Sequence, residues 1–161
     1  MPRIVSVLLP ALLAACQTVP PPSGLNARQI EVLRQNGFIQ HGDDWELGMP
    51  DRLLFPTDQS RLASDQIDRL ARLATALSDV GIKGATIEGH TDSTGAAQYN
   101  RTLSLRRAEE VERALTGGGM LGRAIRATGV GEADPIESNA TAEGRQQNRR
   151  VVIVITAADA F

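Results

Sequence analysis

The sequence contains little of what most catalytic, metal and nucleic-acid sites are built from. Its 161 residues include one cysteine, which excludes an internal disulfide and a zinc site made of several cysteines. With two histidines in the whole chain, we expect no metal and no cofactor. Aromatic residues make up 3%, which is too few for platforms that stack bases or sugars. The formal net charge of −2 argues against broad binding of nucleic acid, which needs a basic surface.

The motifs of common enzyme classes are also missing. The sequence has no G-x-S-x-G nucleophile turn, no glycine fingerprint for nucleotides and no H-E-x-x-H pair. His90 lies two residues before Asp92 and could be imagined as a general base, but no serine at a strand-to-helix turn accompanies it. We therefore expect the protein not to be an enzyme, and a hydrolase is the less favoured alternative.

The first fifteen residues are typical of a secretory signal. Arg3 precedes a short apolar run, residues 4–12, which is shorter than the about 20 residues that a membrane-spanning helix needs. The sequence Leu-Ala-Ala-Cys that ends at Cys16 resembles a bacterial lipobox, in which the cysteine is acylated and becomes the first mature residue. The alternative is an ordinary signal peptide with an incidental cysteine. Gln17 follows in place of the aspartate that commonly retains such lipoproteins in the inner membrane, so the resemblance implies the outer membrane.

The rest of the chain divides into a tether, a small N-terminal piece and one larger module. Residues 16–24 hold three consecutive prolines, which favour an extended tether. Residues 25–49 predict a short helix and a hairpin, residues 50–156 form the main domain, and residues 157–161 are a tail. The helix is expected to be capped by Asn26 and to end at Asn36.

The main domain has the pattern of an α/β fold. Alternating strand and helix signals predict helices packed on a mixed sheet. The β-branched run 151–155 is typical of a central strand that is buried on both faces. The predicted elements are a strand at 53–55, a helix capped by Ser64 with Ile67 to Leu77 on one face, a strand at 85–89, a helix at 98–115, a strand at 124–128, a loop around 139–145 and the final strand.

The segment 87–95 combines polar side chains with a place between a strand and a helix, where α/β folds hold ligands. Asp92 would attract a cation there. Asn100 and Arg107 are seven residues apart on the following helix and so share a face, with Leu103 between them. A carboxylate and an arginine that converge on one pocket suit a zwitterion, with Asp92 on its ammonium and Arg107 on its carboxylate. Asp92 as a loop or cap residue and Arg107 on a solvated face are the alternatives.

Six motifs follow one another along the main domain: Phe55-Pro56-Thr57-Asp58, Gly89-His90-Thr91-Asp92, Tyr99-Asn100, Leu103-Ser104-Leu105-Arg106-Arg107-Ala108, Gly129-Val130-Gly131 with Pro135, and Asn148-Arg149-Arg150-Val151. In this order they resemble the OmpA C-terminal domain family, which includes the peptidoglycan-associated lipoprotein Pal and the MotB stator protein. The resemblance covers about residues 50–156 and implies a β-α-β-α-β-β sandwich.

Membership of this family implies non-covalent binding of peptidoglycan through the meso-diaminopimelate of the stem peptide, whose free end is a zwitterion. By motif position, Asp92 and Arg107 are the principal ligand-binding pair. The supporting positions are Thr91, Asn100 and Arg149, with Thr57 and Asp58 on a turn that borders the pocket and Gly95 allowing close backbone approach. Arg149 could instead brace the sheet, and His90 is interpreted as a structural residue below the pocket.

A finer resemblance, carried by residues 25–30, 37–38, 44–48 and 51–55, is to YfiB-type lipoproteins. This resemblance implies a different role, in which the lipoprotein sequesters a periplasmic repressor and so controls cyclic-di-GMP signalling. Ile30, Leu33, Phe38 and Trp45 would then contact the partner. Alternatively, these four residues pack the N-terminal piece against the module.

Overall fold

The computed structural model describes residues 24–50, 54–55 and 61–161. The predicted signal peptide, the predicted lipidation site Cys16, the predicted tether before Gly24, and Thr57 and Asp58 lie outside the described residues.

The described chain forms a five-stranded mixed sheet with four α-helices. The strands lie in the order β1-β2-β5-β3-β4, and only β3 and β4 are parallel to each other. The α/β class predicted from the sequence is confirmed. The elements are α1 (Ala27–Gln35), β1 (Ile39–His41), β2 (Asp44–Pro50), α2 (Ser64–Ser78), β3 (Ala85–His90), α3 (Ala97–Gly117), β4 (Ile125–Gly131), α4 (Ala142–Asn148) and β5 (Arg150–Ile155).

The N-terminal helix begins and ends where the sequence predicts. The side chain of Asn26 accepts a hydrogen bond from the Gln29 N–H (3.0 Å), and the Gln29 side chain accepts one from the Asn26 N–H (2.9 Å). This reciprocal cap satisfies two backbone donors that the first turn leaves without partners. At the other end, Asn36 occupies the C-cap position.

The hairpin that follows is part of the main sheet. β2 turns back from β1 and pairs antiparallel with the central strand β5, from Trp45 opposite Ile155 to Pro50 opposite Arg150. The strand predicted at 53–55 is wrong for its two described residues, because Leu54 is helical and Phe55 lies in a bend. β2 already occupies the place beside β5. Leu54 and Phe55 are both buried, and consecutive strand residues would point to opposite faces of a sheet.

Two further local predictions need correction. The N-cap of α2 is Ala63, not Ser64, because the Ala63 carbonyl already accepts the Gln66 and Ile67 N–H groups. Ile67 is exposed, although Leu70 and Leu77 on the same helix are buried as expected.

The predicted loop around 139–145 contains the start of α4. Thr141 caps this helix by accepting the Gly144 N–H (3.0 Å). Its sequence is short and mostly polar, so it carries no apolar periodicity that would reveal a helix. α4 leads directly into β5, and its last residue, Asn148, is buried.

The longest helix, α3, packs directly on the sheet through two glycines. A Cβ on Gly89 of β3 would collide with the backbone of Ser104, and one on Gly129 of β4 would collide with the backbone of Arg101. The helix backbone therefore lies against the strands without intervening side chains. This close approach brings the first turns of α3 to the carboxyl ends of β3 and β4.

The N-terminal end of the described chain lies at the other end of the sheet, away from the carboxyl ends of β3 and β4. Gly24, the first described residue, lies beside Ala157, which follows β5, with 3.3 Å between a Cβ built on Gly24 and that of Ala157. None of the described helices is long and apolar enough to cross a membrane.

Candidate functional site

The site lies on the loop that joins β3 to α3. Thr91, the first residue after β3, donates its N–H to the carbonyl of Gly131 at the end of β4 (2.9 Å). This bond directs the loop across the carboxyl ends of the two parallel strands. Thr91 and Asp92 are both buried, although they lie on a connecting loop.

The carboxylate of Asp92 is held by two described groups. Its Oδ2 accepts a hydrogen bond from Arg149 Nη1 at 2.6 Å, and its Oδ1 accepts the Thr94 N–H at 2.8 Å. Burial raises the pKa of Asp92, but the hydrogen bonds from Arg149 and Thr94 outweigh it, so the pKa lies below its ordinary value. Asp92 is therefore an anion at neutral pH, although it is 7% exposed.

Asn100, at the start of α3, joins this loop to the end of β4. Its side chain is 2% exposed, and its Nδ2 donates to the Asp92 carbonyl (3.3 Å) and to Glu132 Oε2 (2.6 Å). The structure thus brings together Asp92, Asn100 and Arg149, as the sequence predicts, with Thr91 next to them in the chain. Glu132 is an additional member that the sequence analysis did not single out.

Arg107 and Leu103 lie further along α3 and are half-buried. The Arg107 guanidinium carbon is 5.3 Å from the centroid of the Phe55 ring, which is within cation–π range. Arg106 is exposed, in agreement with the prediction that it points elsewhere. The arginine that contacts Asp92 is Arg149, whereas Arg107 contacts the Phe55 ring.

Gly95 is required by its backbone conformation. A Cβ on this residue would lie 3.8 Å from Asn100 Oδ1 and 3.9 Å from Tyr99 Cδ1, which are ordinary contact distances. No close contact with the described chain therefore requires glycine here, and close approach of a ligand stays a prediction. The backbone φ of +98° does require glycine, because residues with a side chain rarely adopt it.

Two asparagines that the sequence analysis left without a role support the loop. Asn139 Oδ1 accepts the Ser93 N–H (3.2 Å) and a hydrogen bond from Asn148 Nδ2 (2.9 Å). Asn148 Oδ1 accepts the N–H groups of Ile136 and Glu137. These bonds fix the segment before β5 against the Asp92 loop, so they hold the backbone from which Arg149 extends. Nothing in the local sequence pattern reveals this pairing, because its members come from separate segments.

His90 lies beneath the site as a buried, neutral imidazole. Its side chain is 1% exposed, and neither ring nitrogen forms a hydrogen bond with the described part of the chain. Burial, reinforced by the neighbouring Arg150, lowers the pKa of His90 to about 4. The Glu88 carboxylate, 3.7 Å from His90 Nε2, does not reverse this shift.

The lowered pKa of His90 predicts that the stability of the fold depends on pH. Because the folded pKa of His90 is below its ordinary value, the unfolded chain binds the proton more tightly, and the free energy of unfolding falls as the pH drops from about 6.5 to about 4. The expected loss is roughly 3 kcal/mol. Urea denaturation of His90→Phe across this range should give a shallower dependence than the unsubstituted chain. His41→Gln, at the exposed second histidine, should leave the slope unchanged; equal slopes for all three proteins would contradict the prediction.

The described chain also has a cavity away from this site. It has a volume of about 570 Å³ and lies between the end of α1, β2 and the first half of α2, with Leu47, Met49 and Leu70 in its wall. The described residues that line it include none of the predicted ligand-binding residues. We locate the candidate site at Asp92 because the charged and hydrogen-bonding groups converge there.

The fold of the described chain matches that of proteins with solved structures. The structure of the peptidoglycan-associated lipoprotein from Burkholderia pseudomallei superposes with a TM-score of 0.56, at 28% identity, over 63% of this chain and 86% of that one. The family model described as "OmpA family" matches residues 54–149. The chain therefore belongs to the OmpA family.

Two relatives extend the comparison. The outer-membrane lipoprotein YfiB of Pseudomonas aeruginosa is 43% identical over 145 residues, which are 90% of this chain and 86% of that protein. The peptidoglycan-binding protein ArfA of Mycobacterium tuberculosis is 40% identical over 103 residues, which are 64% of this chain and 32% of ArfA. The similarity to YfiB thus extends well beyond the family domain.

Proposed function

We propose that this protein is an outer-membrane lipoprotein that binds peptidoglycan non-covalently and catalyses no reaction. The observation that carries the proposal is the buried, ionised Asp92 carboxylate with Arg149 at the carboxyl end of β3. Relatives named for peptidoglycan binding or association support it, among them ArfA and the Burkholderia lipoprotein. The name of the YfiB relative supports the outer membrane as the location, with Cys16 as the lipid-anchored residue and the domain facing the periplasm.

The proposed ligand group is the free end of meso-diaminopimelate. This end carries an ammonium and a carboxylate on one carbon, so it needs an anion and a cation at fixed positions in the protein. Asp92 receives the ammonium, and Arg107, beside the Phe55 ring, receives the carboxylate through its planar fork. Arg149 partly neutralises Asp92 and offers a second donor to the same carboxylate.

A comparison of two cell-wall types tests the proposal. The non-acylated Cys16→Ser chain, without its signal, should cosediment with sacculi that contain meso-diaminopimelate, and free meso-diaminopimelate should compete. Sacculi in which lysine replaces diaminopimelate provide the matched control, because lysine keeps the ammonium but lacks the carboxylate. We expect binding to the lysine type to be at least about tenfold weaker, since one charge-assisted interaction is lost. Equal binding to both wall types would overturn the ligand assignment.

A second candidate function is a YfiB-like regulatory role, in which the protein sequesters a periplasmic repressor and so controls cyclic-di-GMP signalling. The observation in its favour is the similarity to YfiB over 90% of the chain, which includes α1, β1 and β2. The partner-contact role suggested for Leu33, Phe38 and Trp45 is wrong in this conformation, because all three are buried in the core. Ile30 is also packed against that core.

The exposed apolar residue Ile39 is the better probe of the regulatory role. Ile39 is 64% exposed on the edge strand β1. Ile39→Glu should weaken capture of a co-expressed periplasmic repressor while leaving the thermal midpoint unchanged. His41→Glu, on the same exposed strand, is the matched control. Unchanged capture by Ile39→Glu would argue against a contact through this strand.

A further inference from the structure

The buried amide of Asn100 lies between two oxygen atoms. We propose that Glu132 is a positioning residue, which fixes the orientation of this amide so that Asn100 Oδ1 accepts a hydrogen bond from the ammonium of the ligand. The inference rests on the proposed function, and it adds a residue outside the set predicted from the family motifs. Glu132 immediately follows β4 and is half-buried.

Gly131, the residue immediately before Glu132, forms hydrogen bonds through both its backbone N–H and its backbone carbonyl. The Gly131 N–H donates to Ser104 Oγ (3.0 Å), and the Gly131 carbonyl accepts the Thr91 N–H (2.9 Å). Gly131 has a φ of +66°, and a Cβ there would lie 3.2 Å from the Arg101 nitrogen. Glu132 therefore extends from a backbone position that β3 and α3 both hold in place.

The partners of Asn100 determine which way its amide faces. The Nδ2 group donates to the Asp92 carbonyl at 3.3 Å and to Glu132 Oε2 at 2.6 Å. A carbonyl oxygen and an ionised carboxylate only accept hydrogen bonds, so the nitrogen must face both of them. The amide oxygen is then directed away, and it lies 3.8 Å from the position of a Cβ on Gly95 in the Asp92 loop.

This orientation gives the site a chemical preference. Asn100 Oδ1 faces the loop that carries the Asp92 carboxylate, so α3 and this loop together offer two acceptors to one cationic group. An ammonium can donate to both, whereas a group without N–H donors gains nothing from Asn100. Glu132 thus contributes to the choice of an ammonium-bearing ligand without contacting the ligand itself.

The substitution Glu132→Gln tests this role because glutamine can either accept from or donate to the Asn100 amide. The amide would lose its fixed orientation and would present Nδ2 to the ligand in part of the molecules. The two probes are the tripeptide L-alanyl-γ-D-glutamyl-meso-diaminopimelate and its counterpart with 2-aminopimelate, which keeps the terminal carboxylate but lacks the ammonium. Glu137→Gln, at an exposed carboxylate, is the matched control.

We expect calorimetry to show that Glu132→Gln weakens binding of the diaminopimelate peptide about tenfold, the effect of one hydrogen bond to a charged group. Binding of the 2-aminopimelate peptide should change much less, and Glu137→Gln should match the unsubstituted chain. The Asn100 side-chain NH₂ signals should shift in the ¹⁵N spectrum of Glu132→Gln. An unchanged preference between the peptides, or an equal loss for both, would overturn the role of Glu132. Failure of the unsubstituted chain to bind either peptide would instead overturn the proposed function.

Discussion

The substitution Asp92→Asn is expected to reduce the affinity for sacculi by about tenfold to a hundredfold. The change removes the negative charge that receives the ligand ammonium, and one hydrogen bond to a charged group contributes about 1.5–3 kcal/mol. It keeps the size of the side chain and an acceptor for the Thr94 N–H, which now bonds Asp92 Oδ1 at 2.8 Å. The affinity should be measured by cosedimentation over a range of sacculus concentrations.

Asparagine is preferred to alanine at this position because its single amide oxygen can still accept one of the two hydrogen bonds that Asp92 now accepts, from the Thr94 N–H and from Arg149. Asp68→Asn, on the exposed face of α2, removes the same charge far from the loop in sequence and serves as the control. Thermal unfolding of both variants separates lost binding from lost folding. If Asp92→Asn bound sacculi as tightly as Asp68→Asn, Asp92 would not be the anionic partner of the ligand.

The substitution Gly89→Ala should destabilise the fold by about 3 kcal/mol or more. The added Cβ would collide with the backbone of Ser104, which belongs to a helix that cannot move without separating from β4 as well. Overpacking at a flexible side chain costs about 1–3 kcal/mol, and a rigid backbone gives less relief. Domains of this size are stable by about 5–15 kcal/mol, so the loss is a large part of the total.

Gly117→Ala is the matched control for this prediction. Gly117 ends α3, and nothing lies within 4 Å of a Cβ built on it. Alanine there should be neutral or should stabilise the protein by up to about 1 kcal/mol, because it reduces the freedom of the unfolded chain. Urea denaturation measures both changes. If the urea midpoint of Gly89→Ala equalled that of Gly117→Ala, α3 and β3 could separate at little cost in free energy, and the prediction would be wrong.

Elements of the fold could be predicted where a single segment of the sequence carries the residue pattern of a helix or a strand. The β-branched run 151–155 predicts the central strand β5, which the structure places at Arg150–Ile155. The helix predicted at 98–115 corresponds to α3 to within two residues at each end. The strand predicted at 53–55 failed because a short apolar run indicates burial without indicating its geometry, and β2 had already filled the neighbouring place in the sheet.

The candidate site could be predicted from the sequence only where its residues lie close together along the chain. Asp92 and Asn100 lie in one continuous segment, where the spacing between a strand end and a helix face can be read directly. Glu132 reaches Asn100 on α3, and Asn139 reaches Ser93 on the loop, from segments far away in the sequence and through hydrogen bonds that no spacing rule describes. Residues 56–60, which include the predicted Thr57 and Asp58, lie outside the described part, so their membership of the site stays a prediction.

The position of Gly24 beside Ala157 has a mechanical consequence for the proposed function, in which the membrane would hold one end of the molecule and the wall the other. Gly24 lies just beyond the last residue of β5, whereas Arg149 and Asp92 lie at its first, so the two points are separated by the length of the strand, about 20 Å. A pull between membrane and wall would act roughly parallel to β5. The hydrogen bonds to β2 and β3 on either side of it would then be loaded together in shear rather than opened one by one.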